Sequence, residues 1–452
     1  MPSQLAFLAW FVLVAALFLR DRKNHPNLSR ALWIPLIWLF VIGSRSFSAW
    51  IHLSAREAAS IEAYSEGNSL DRNFLIVMFL IATIVVIRRR VKWSAVFQQN
   101  KLIIFFILYC LVSIVWSEFP LIAFKRLVRF LGVVPMSLIV LTEESPPEAI
   151  TTIIRRCSYL LITLSVLFIR YFPQLGRYYN QFTYEVAYCG VGGNKNELGM
   201  VCVVSALIFF WDLIKRRSES KSFLKSADAW TALFLLVLTA YLVKISSSST
   251  AIFCIVVGGA ILMATSLPLL KKNPHALVYQ IAGASILVAI IQALFNVRDF
   301  IIRVLGRDPT LTDRTAIWKT LFGMVRNPIL GTGYESFWTA ERIAVMWQTG
   351  HGAIQAHNGY IDTYINLGIV GVAFFVALLA LCFMIVVRRM PVDFEFNQFR
   401  LAFLIVYCLY NYTEAAFPRT GLLLAIFFLL IFVVQKRQPE SGPDDRVPVP
   451  AG

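Results

Sequence analysis

A histidine and three arginines in one long polar stretch, residues 297–358, are the side chains of this chain best suited to chemistry. His357 stands at the end of the stretch, and Arg307, Arg314 and Arg326 precede it. Histidine exchanges a proton near neutral pH, and arginine binds phosphate through two parallel hydrogen bonds. A proton acceptor beside a phosphate-binding cluster indicates group transfer.

The same residues also have a structural interpretation. Arg307 is followed by Asp308, and Arg314 is preceded by Asp313. Each arginine could form an ion pair with its neighbouring aspartate. A single histidine beside an apolar segment is often hydrogen bonded for structural reasons. The stretch also contains tryptophans that suit an amphipathic element in the lipid headgroup plane, namely Trp318, Trp338 and Trp347.

The composition excludes an ordinary soluble enzyme. Of the 452 residues, 58% are hydrophobic and 15% are charged, against roughly 25% charged in a typical soluble domain. The net charge of +16 would suggest nucleic-acid binding in a soluble protein. In a membrane protein, Lys and Arg flank the spans on the cytoplasmic side and contact anionic headgroups, so we expect membrane lipids as partners and no nucleic acid.

Apolar segments predict an all-α, polytopic integral membrane protein of about 12–13 transmembrane helices. The candidate spans centre on residues 4–19, 31–43, 73–87, 102–116, 127–142, 157–172, 198–214, 229–244, 250–270, 277–296, 360–387, 399–416 and 420–435. Every second connection between spans is richer in Lys and Arg than the connections beside it, and the richer set is expected in the cytoplasm. This orientation places the N-terminus outside and the C-terminus inside.

These spans define one transmembrane domain, residues 1–437, and a polar, disordered cytoplasmic tail, residues 438–452. The long loop, residues 297–358, then lies outside the cytoplasm and carries short helices. Most of the seven cysteines lie in or beside apolar segments, so neither a disulfide framework nor a cysteine metal site is expected. We expect no metal site and no cofactor.

Several short motifs, in this order, resemble the O-antigen ligase and polymerase superfamily, most closely its exopolysaccharide-production branch. The motifs are Trp116-Ser117-Glu118, Lys125-Arg126, Gly193-Asn194-Lys195-Asn196-Glu197-Leu198-Gly199, Ser246 to Ser249, Gly306-Arg307-Asp308, Thr312-Asp313-Arg314-Thr315, Asn327-Pro328, Gly331-Thr332-Gly333 and His357-Asn358 with Tyr360 and Gly368. The interval from His357 to Gly368 is similar to a His-to-Gly signature of that family.

The resemblance implies a glycosyltransferase of the bacterial inner (cytoplasmic) membrane, with its active site on the extracytoplasmic face. Such an enzyme moves a glycan from a polyprenyl-diphosphate carrier to a hydroxyl of a glycan, a lipid A-core or another acceptor. The donor stores the bond energy, and its diphosphate is a good leaving group whose charge Arg or Lys can neutralise. The expected reaction is therefore inverting and metal-independent.

The resemblance also implies roles for individual residues. Arg314 and Lys195 would contact the diphosphate, with Arg126 and Arg307 as further cationic contacts. His357 would orient or deprotonate the acceptor hydroxyl.

Three further residues are expected to contact substrate. Glu414 could hold a sugar hydroxyl or orient His357, and Asn358 and Tyr360 adjoin the histidine in the motif.

Two questions stay open at the level of sequence. Polymerisation of repeats and ligation of a finished chain use the same donor, and we favour an exopolysaccharide polymerase. The alternative from another class is a transporter or flippase of lipid-linked oligosaccharides. The span centres contain almost no ionisable residues, which argues against that alternative.

Overall fold

The computed structural model describes residues 1–52, 68–89, 91–179, 185–219, 226–268, 314–348 and 354–434. These residues are almost entirely helical. The helices are α1 Ser3–Asn24, α2 Trp33–Ile42, α3 Phe47–His52, α4 Ser69–Arg88, α5 Trp93–Gln99, α6 Lys101–Val112, α7 Pro120–Leu131, α8 Val133–Leu141, α9 Pro146–Tyr171, α10 Pro173–Gly176, α11 Lys195–Glu219, α12 Ala227–Ser246, α13 Ser249–Thr265, α14 Arg314–Met324, α15 Ala340–Gln348, α16 Gly359–Arg389, α17 Phe394–Thr413 and α18 Leu422–Ile431.

Short elements fill some of the connections. The segments Arg30–Leu32 and Ser113–Trp116 form 3₁₀ turns. Strands β1 (Arg177–Tyr179) and β2 (Val186–Tyr188) form an antiparallel pair in which Arg177 lies opposite Tyr188.

The protein is an all-α, multi-pass membrane protein, as predicted. Within the described residues, six helices are long and apolar enough to cross a membrane: α1, α4, α9, α11, α12 and α16. A seventh span results if α5 and the bent segment Lys101–Trp116 count as one. Shorter apolar helices include α13 and α18.

Each candidate span corresponds to helical structure where the structure describes it, and two of these spans are interrupted, one at Gly132 and one at Gly368. The span predicted over residues 127–142 is divided between α7 and α8, which meet at Gly132. Pro135 lacks an N–H and cannot donate to the preceding turn, so the helix is interrupted there. The candidate span 277–296, residues 297–313 of the long loop and the tail 438–452 lie outside the described residues.

Helices α9 and α11 form the centre of the bundle. In their most apolar 18-residue windows, 89% of α9 residues and 72% of α11 residues are buried, against 11% for α1. All ten residues of α18 are buried as well. The apolar side chains of α1 and α4 instead remain exposed on the outside of the bundle, which is the face available to lipid.

Helix α16 is broken at Gly368, and the loop after α14 packs into the break. Gly368 has φ of +64°, and a Cβ added there would lie 2.0 Å from the carbonyl oxygen of Ile329. Beside the break, the N–H of Gly333 donates to the carbonyl of Asn366 at 2.8 Å, and that of Ile369 donates to Pro328 at 2.9 Å. Glycine is required because only it allows this backbone conformation at such a close approach.

Candidate active site

Three residues predicted from the sequence meet at one end of the bundle: His357, Glu414 and Arg314. The Nδ1 atom of His357 lies 3.1 Å from Oε2 of Glu414. The Nη2 atom of Arg314 lies 3.1 Å from Oε1 of the same carboxylate, and its Nη1 donates to the carbonyl of Thr413 at 2.5 Å. Glu414 is buried, and its carboxylate is held by hydrogen bonds with His357 and Arg314.

Helix ends position these side chains. Arg314 begins α14, Glu414 directly follows α17, and His357 stands two residues before α16. Asn358 caps α16, because its Oδ1 accepts from the N–H of Tyr360 at 2.9 Å and of Ile361 at 3.1 Å. His357 therefore occupies a sharp turn, with φ of +49°.

Asn358 and Tyr360, which the sequence suggests as substrate contacts, use their polar atoms within the protein. The side-chain amide of Asn358 donates to the backbone carbonyl of Tyr412 at 3.1 Å. The hydroxyl of Tyr360 donates to the backbone carbonyl of Cys408 at 3.3 Å. Both bonds join the start of α16 to the end of α17. These two hydrogen bonds hold His357 and Glu414 side by side.

Lys195 begins α11 at the same end of the bundle, where its side chain is partly exposed. Its neighbour Asn196 donates from Nδ2 to Oε1 of Glu414 at 3.0 Å. The glycine-rich turn before α11 is already occupied by protein, because the N–H of Gly193 donates to Glu197 at 2.5 Å. This turn therefore supports the start of α11, and Asn196 is a site residue that the sequence analysis missed.

Arg126 lies on α7 and donates to the carbonyl of Glu335. Glu335 occupies a left-handed turn with φ of +46°, and its Oε1 is covered and has no hydrogen-bond partner. Burial raises the pKa of Glu335, although Arg126, Arg419 and Arg129 act in the opposite direction. This carboxyl group was not singled out from the sequence.

A cavity of about 350 Å³ adjoins the cluster. Its polar side includes Glu414, Asn196, Gln355, Arg129 and Arg419. Its other side is apolar and is formed by Val41, Phe47, Phe74 and Leu75, with Asp71 among them. The lining thus combines two arginines, the carboxylates Asp71, Glu197 and Glu414, and apolar side chains. Such a cavity can hold a ligand that has a charged group and a hydrocarbon chain.

Gln355 and Arg419 extend the polar side. Nη1 of Arg419 donates to Oε1 of Gln355 at 3.3 Å, and Nε2 of Gln355 lies 3.3 Å from Nδ1 of His357. Arg419 and Arg129 were both missed by the sequence analysis. Two features of the sequence could have indicated them. Arg419 lies five residues beyond Glu414, and Arg129 lies one helical turn beyond Arg126.

Other predicted residues are not brought to this cluster. Arg307 lies outside the described residues. Arg326 is 85% exposed, and its nearest carboxylate is Glu118 at 3.6 Å. Trp338 is buried and donates to Oδ1 of Asp362 at 2.9 Å, so it serves packing within the protein and not the headgroup plane.

The donor set of the site consists of cations, amides and one carboxylate–histidine pair. Across the described ranges of the chain, no group of three or more His, Cys, Asp or Glu side chains is arranged to hold a metal ion. The arrangement can accept a proton at His357 and stabilise negative charge through arginine.

Comparison with known proteins finds two similarities. Residues 232–376, which include Arg314 and His357, match a family model described as O-antigen ligase. The exopolysaccharide production protein ExoQ of Rhizobium meliloti (strain 1021) is 23% identical over 297 residues, which cover 63% of this chain and 65% of that protein. The match thus spans less than two thirds of the relative's own length. By these two matches, the chain is similar to the O-antigen ligase family over residues 232–376 and to a protein of exopolysaccharide production over a longer region.

Proposed function

We propose that this protein is a membrane glycosyltransferase of extracytoplasmic polysaccharide assembly, which transfers a glycan from a polyprenyl-diphosphate carrier to an acceptor hydroxyl. The observation that carries the proposal is the His357–Glu414 pair, which stands beside a cavity lined by two arginines and by apolar residues. The family and the relative's name support a role in polysaccharide assembly.

The donor is assigned to the cavity. Its diphosphate would lie against Arg129 and Arg419, with Arg314 and Lys195 nearby, and its polyprenyl chain would leave past Phe47. Preorganised cations stabilise the charge that develops on the leaving diphosphate, which is the main electrostatic requirement of this reaction. The proposed reaction therefore needs no metal and no cofactor.

The acceptor is assigned to His357. Its Nδ1 faces Glu414, which leaves Nε2 as the atom that accepts a proton. As the acceptor oxygen bonds to the anomeric carbon, its proton passes to His357, and the carbon–oxygen bond to the diphosphate breaks with its electron pair on the leaving group. A single displacement from the opposite face inverts the anomeric configuration.

The proposal also concerns location. The ends of the helices that carry His357 and Glu414 are outside the cytoplasm if the charge asymmetry of the connections sets the orientation. The donor and the acceptor are then on the outer face of the inner membrane. A lipid-linked repeat as acceptor would make the protein a polymerase.

The test is reconstitution of the purified protein in nanodiscs with polyprenyl-diphosphate-linked repeat units and without ATP or added metal. We expect a ladder of longer glycans on a gel. The ladder should disappear in His357→Ala and persist in Arg388→Met, a matched control on the exposed end of α16.

Other results would redirect or refute the proposal. Transfer only after addition of a lipid A-core or protein acceptor would make the protein a ligase. Absence of transfer under every condition, with His357→Ala still complementing a deletion strain, would refute the catalytic role and favour a transporter of lipid-linked oligosaccharides.

A further inference from the structure

A second cavity, of about 430 Å³, lies at the opposite end of the α16–α17 hairpin from His357. It is formed where α16 ends, α17 begins and α18 ends. Its wall is mostly apolar and includes Leu141, Ile150, Phe396, Leu429, Phe432 and Val434. Nothing in the proposed transfer reaction uses this cavity.

Arg400, a buried arginine without a counter-ion, lines this cavity. It is 4% exposed, yet no carboxylate lies within ion-pair distance of it among the residues that the structure describes. Its Nη1 donates to Oδ1 of Asn397 at 3.1 Å, and its Nη2 donates to the carbonyl of Leu430. Its Nε is covered and has no partner. A buried charge is costly unless it is paired, so this site lacks an anion.

A second cation lies at the same cavity. Arg389 ends α16 and is exposed, and it has no partner carboxylate in the described part of the chain. Asp393 also lines the cavity, but its carboxylate accepts from the N–H of Phe396 at 3.2 Å and caps α17. The cavity is therefore cationic, with its one acidic side chain already engaged.

We infer that this cavity binds an anionic membrane lipid, with its phosphate between Arg400 and Arg389 and an acyl chain along the apolar wall. Phosphate supplies the negative charge that both guanidinium groups lack among the described residues, and an acceptor for Nε of Arg400. A free inorganic phosphate would leave the apolar wall uncovered, whereas a lipid covers both the two arginines and the apolar wall. Residues 438–452 come after Val434 in the sequence and contain acidic side chains, so their deletion is part of the test.

The test measures lipid binding to the delipidated full-length protein in detergent, by native mass spectrometry and by the shift in melting temperature. The probes are dioleoyl phosphatidylglycerol, dioleoyl phosphatidylcholine and inorganic phosphate. We expect phosphatidylglycerol to bind and stabilise the wild type, with about tenfold weaker binding in Arg400→Met and Arg389→Met, because each loses a charge-assisted contact. Arg388→Met, adjacent but outside the cavity wall, should bind as the wild type does.

Arg389→Met keeps the test valid if Arg400→Met fails to fold, since Arg389 is exposed. Equal binding of phosphatidylglycerol by the wild type and by the folded variants would overturn the inference. So would equal stabilisation by inorganic phosphate alone, which would make the site one for a free anion. Deletion of residues 438–452 should leave binding unchanged, and binding that occurs only after this deletion would identify the tail as the occupant.

Discussion

Glu414 joins three distant segments of the chain through one carboxylate. It contacts His357, Arg314 and Asn196, which lie 57, 100 and 218 residues away in sequence. A carboxylate behind a histidine orients the ring and stabilises the imidazolium that forms when it accepts a proton. Under the proposed function, Glu414 is a positioning residue that acts through His357 and Arg314.

The variant Glu414→Gln keeps the size of this side chain and removes its charge. We expect the rate of glycan transfer to fall by at least about 10²-fold, because the imidazolium loses its stabilising partner. Transfer kinetics would measure this loss. Glu118→Gln, which changes an exposed ion pair, is the control. A full rate in Glu414→Gln together with a strong loss in His357→Ala would contradict the positioning role.

Glu335 allows a separate prediction about pH. Because burial raises the pKa of Glu335 in the folded protein, the folded state binds more protons than the unfolded state between the ordinary glutamate range and that raised pKa. The contribution of this group to stability is therefore greatest at low pH and declines as pH rises through the raised pKa. We expect Glu335→Gln to remove this decline, so that the variant is at least as stable as the wild type at about pH 8.

Melting temperatures in detergent between about pH 5 and about pH 8 would test this expectation. Glu144→Gln, at an exposed glutamate, should keep the pH dependence of the wild type. A steeper loss of stability with rising pH in Glu335→Gln would show that the sign is wrong.

At the level of elements, the break in α16 connects the loop that follows α14 to the helix that carries His357 at its start. The segment 328–333 is hydrogen bonded to the backbone of α16 at the break. The N–H groups of Thr332 and Gly333 donate to carbonyls of α16, and the N–H of Ile369 donates back to the carbonyl of Pro328. The hydroxyl of Tyr109 on α6 donates to the carbonyl of Leu367 at 2.7 Å beside them. The interval from His357 to Gly368 thus measures the length of helix between the proposed base and this docking point.

Gly368→Ala should destabilise the fold. A methyl group at this position meets the Ile329 carbonyl at 2.0 Å and requires a left-handed backbone, a conformation that costs roughly 1–2 kcal/mol for a residue with a Cβ. We expect a lower melting temperature and less monodisperse protein in size-exclusion chromatography. Gly323→Ala, where nothing lies within 4 Å, should be neutral or slightly stabilising. Equal stability of the two variants would contradict the packing of the loop into the break.

At the level of the whole molecule, the end opposite His357 is held by a buried ionic cluster. Arg155 on α9 contacts Asp212 on α11 through two bonds of 2.6 and 2.8 Å. Arg156 contacts Asp21 of α1 at 2.6 Å. These pairs join the peripheral α1 to the central helices α9 and α11, at the end that the charge asymmetry assigns to the cytoplasm.

Removing one partner of this cluster should be strongly destabilising. In Asp212→Asn the buried Arg155 loses its main counter-ion, and breaking a buried pair costs about 3–5 kcal/mol. The fraction of protein that remains monodisperse after heating would measure the effect. Glu395→Gln, which changes the partly exposed pair with Lys215 at 3.7 Å, should have little effect. Similar losses in both variants would show that the cluster contributes no more than a surface pair.

The amino-acid sequence by itself determined the fold class and the positions of most helices, because a lipid environment requires continuous apolar segments whose backbone bonds are local. It also marked His357, Arg314 and Glu414 as candidates through residue type and order. The break between α7 and α8 was missed, since the local effect of Pro135 was not weighed against an otherwise apolar span.

Only the tertiary structure decided which of the marked residues meet. It brought Asn196, Gln355, Arg129 and Arg419 to the same cavity and engaged the polar atoms of Asn358 and Tyr360 in joining two helices. Contacts between residues that are hundreds of positions apart depend on how helices pack, and hydropathy along the chain contains no information about which helix faces which. The lack of a carboxylate near Arg400 within the described part of the chain became visible for the same reason, since it depends on packing.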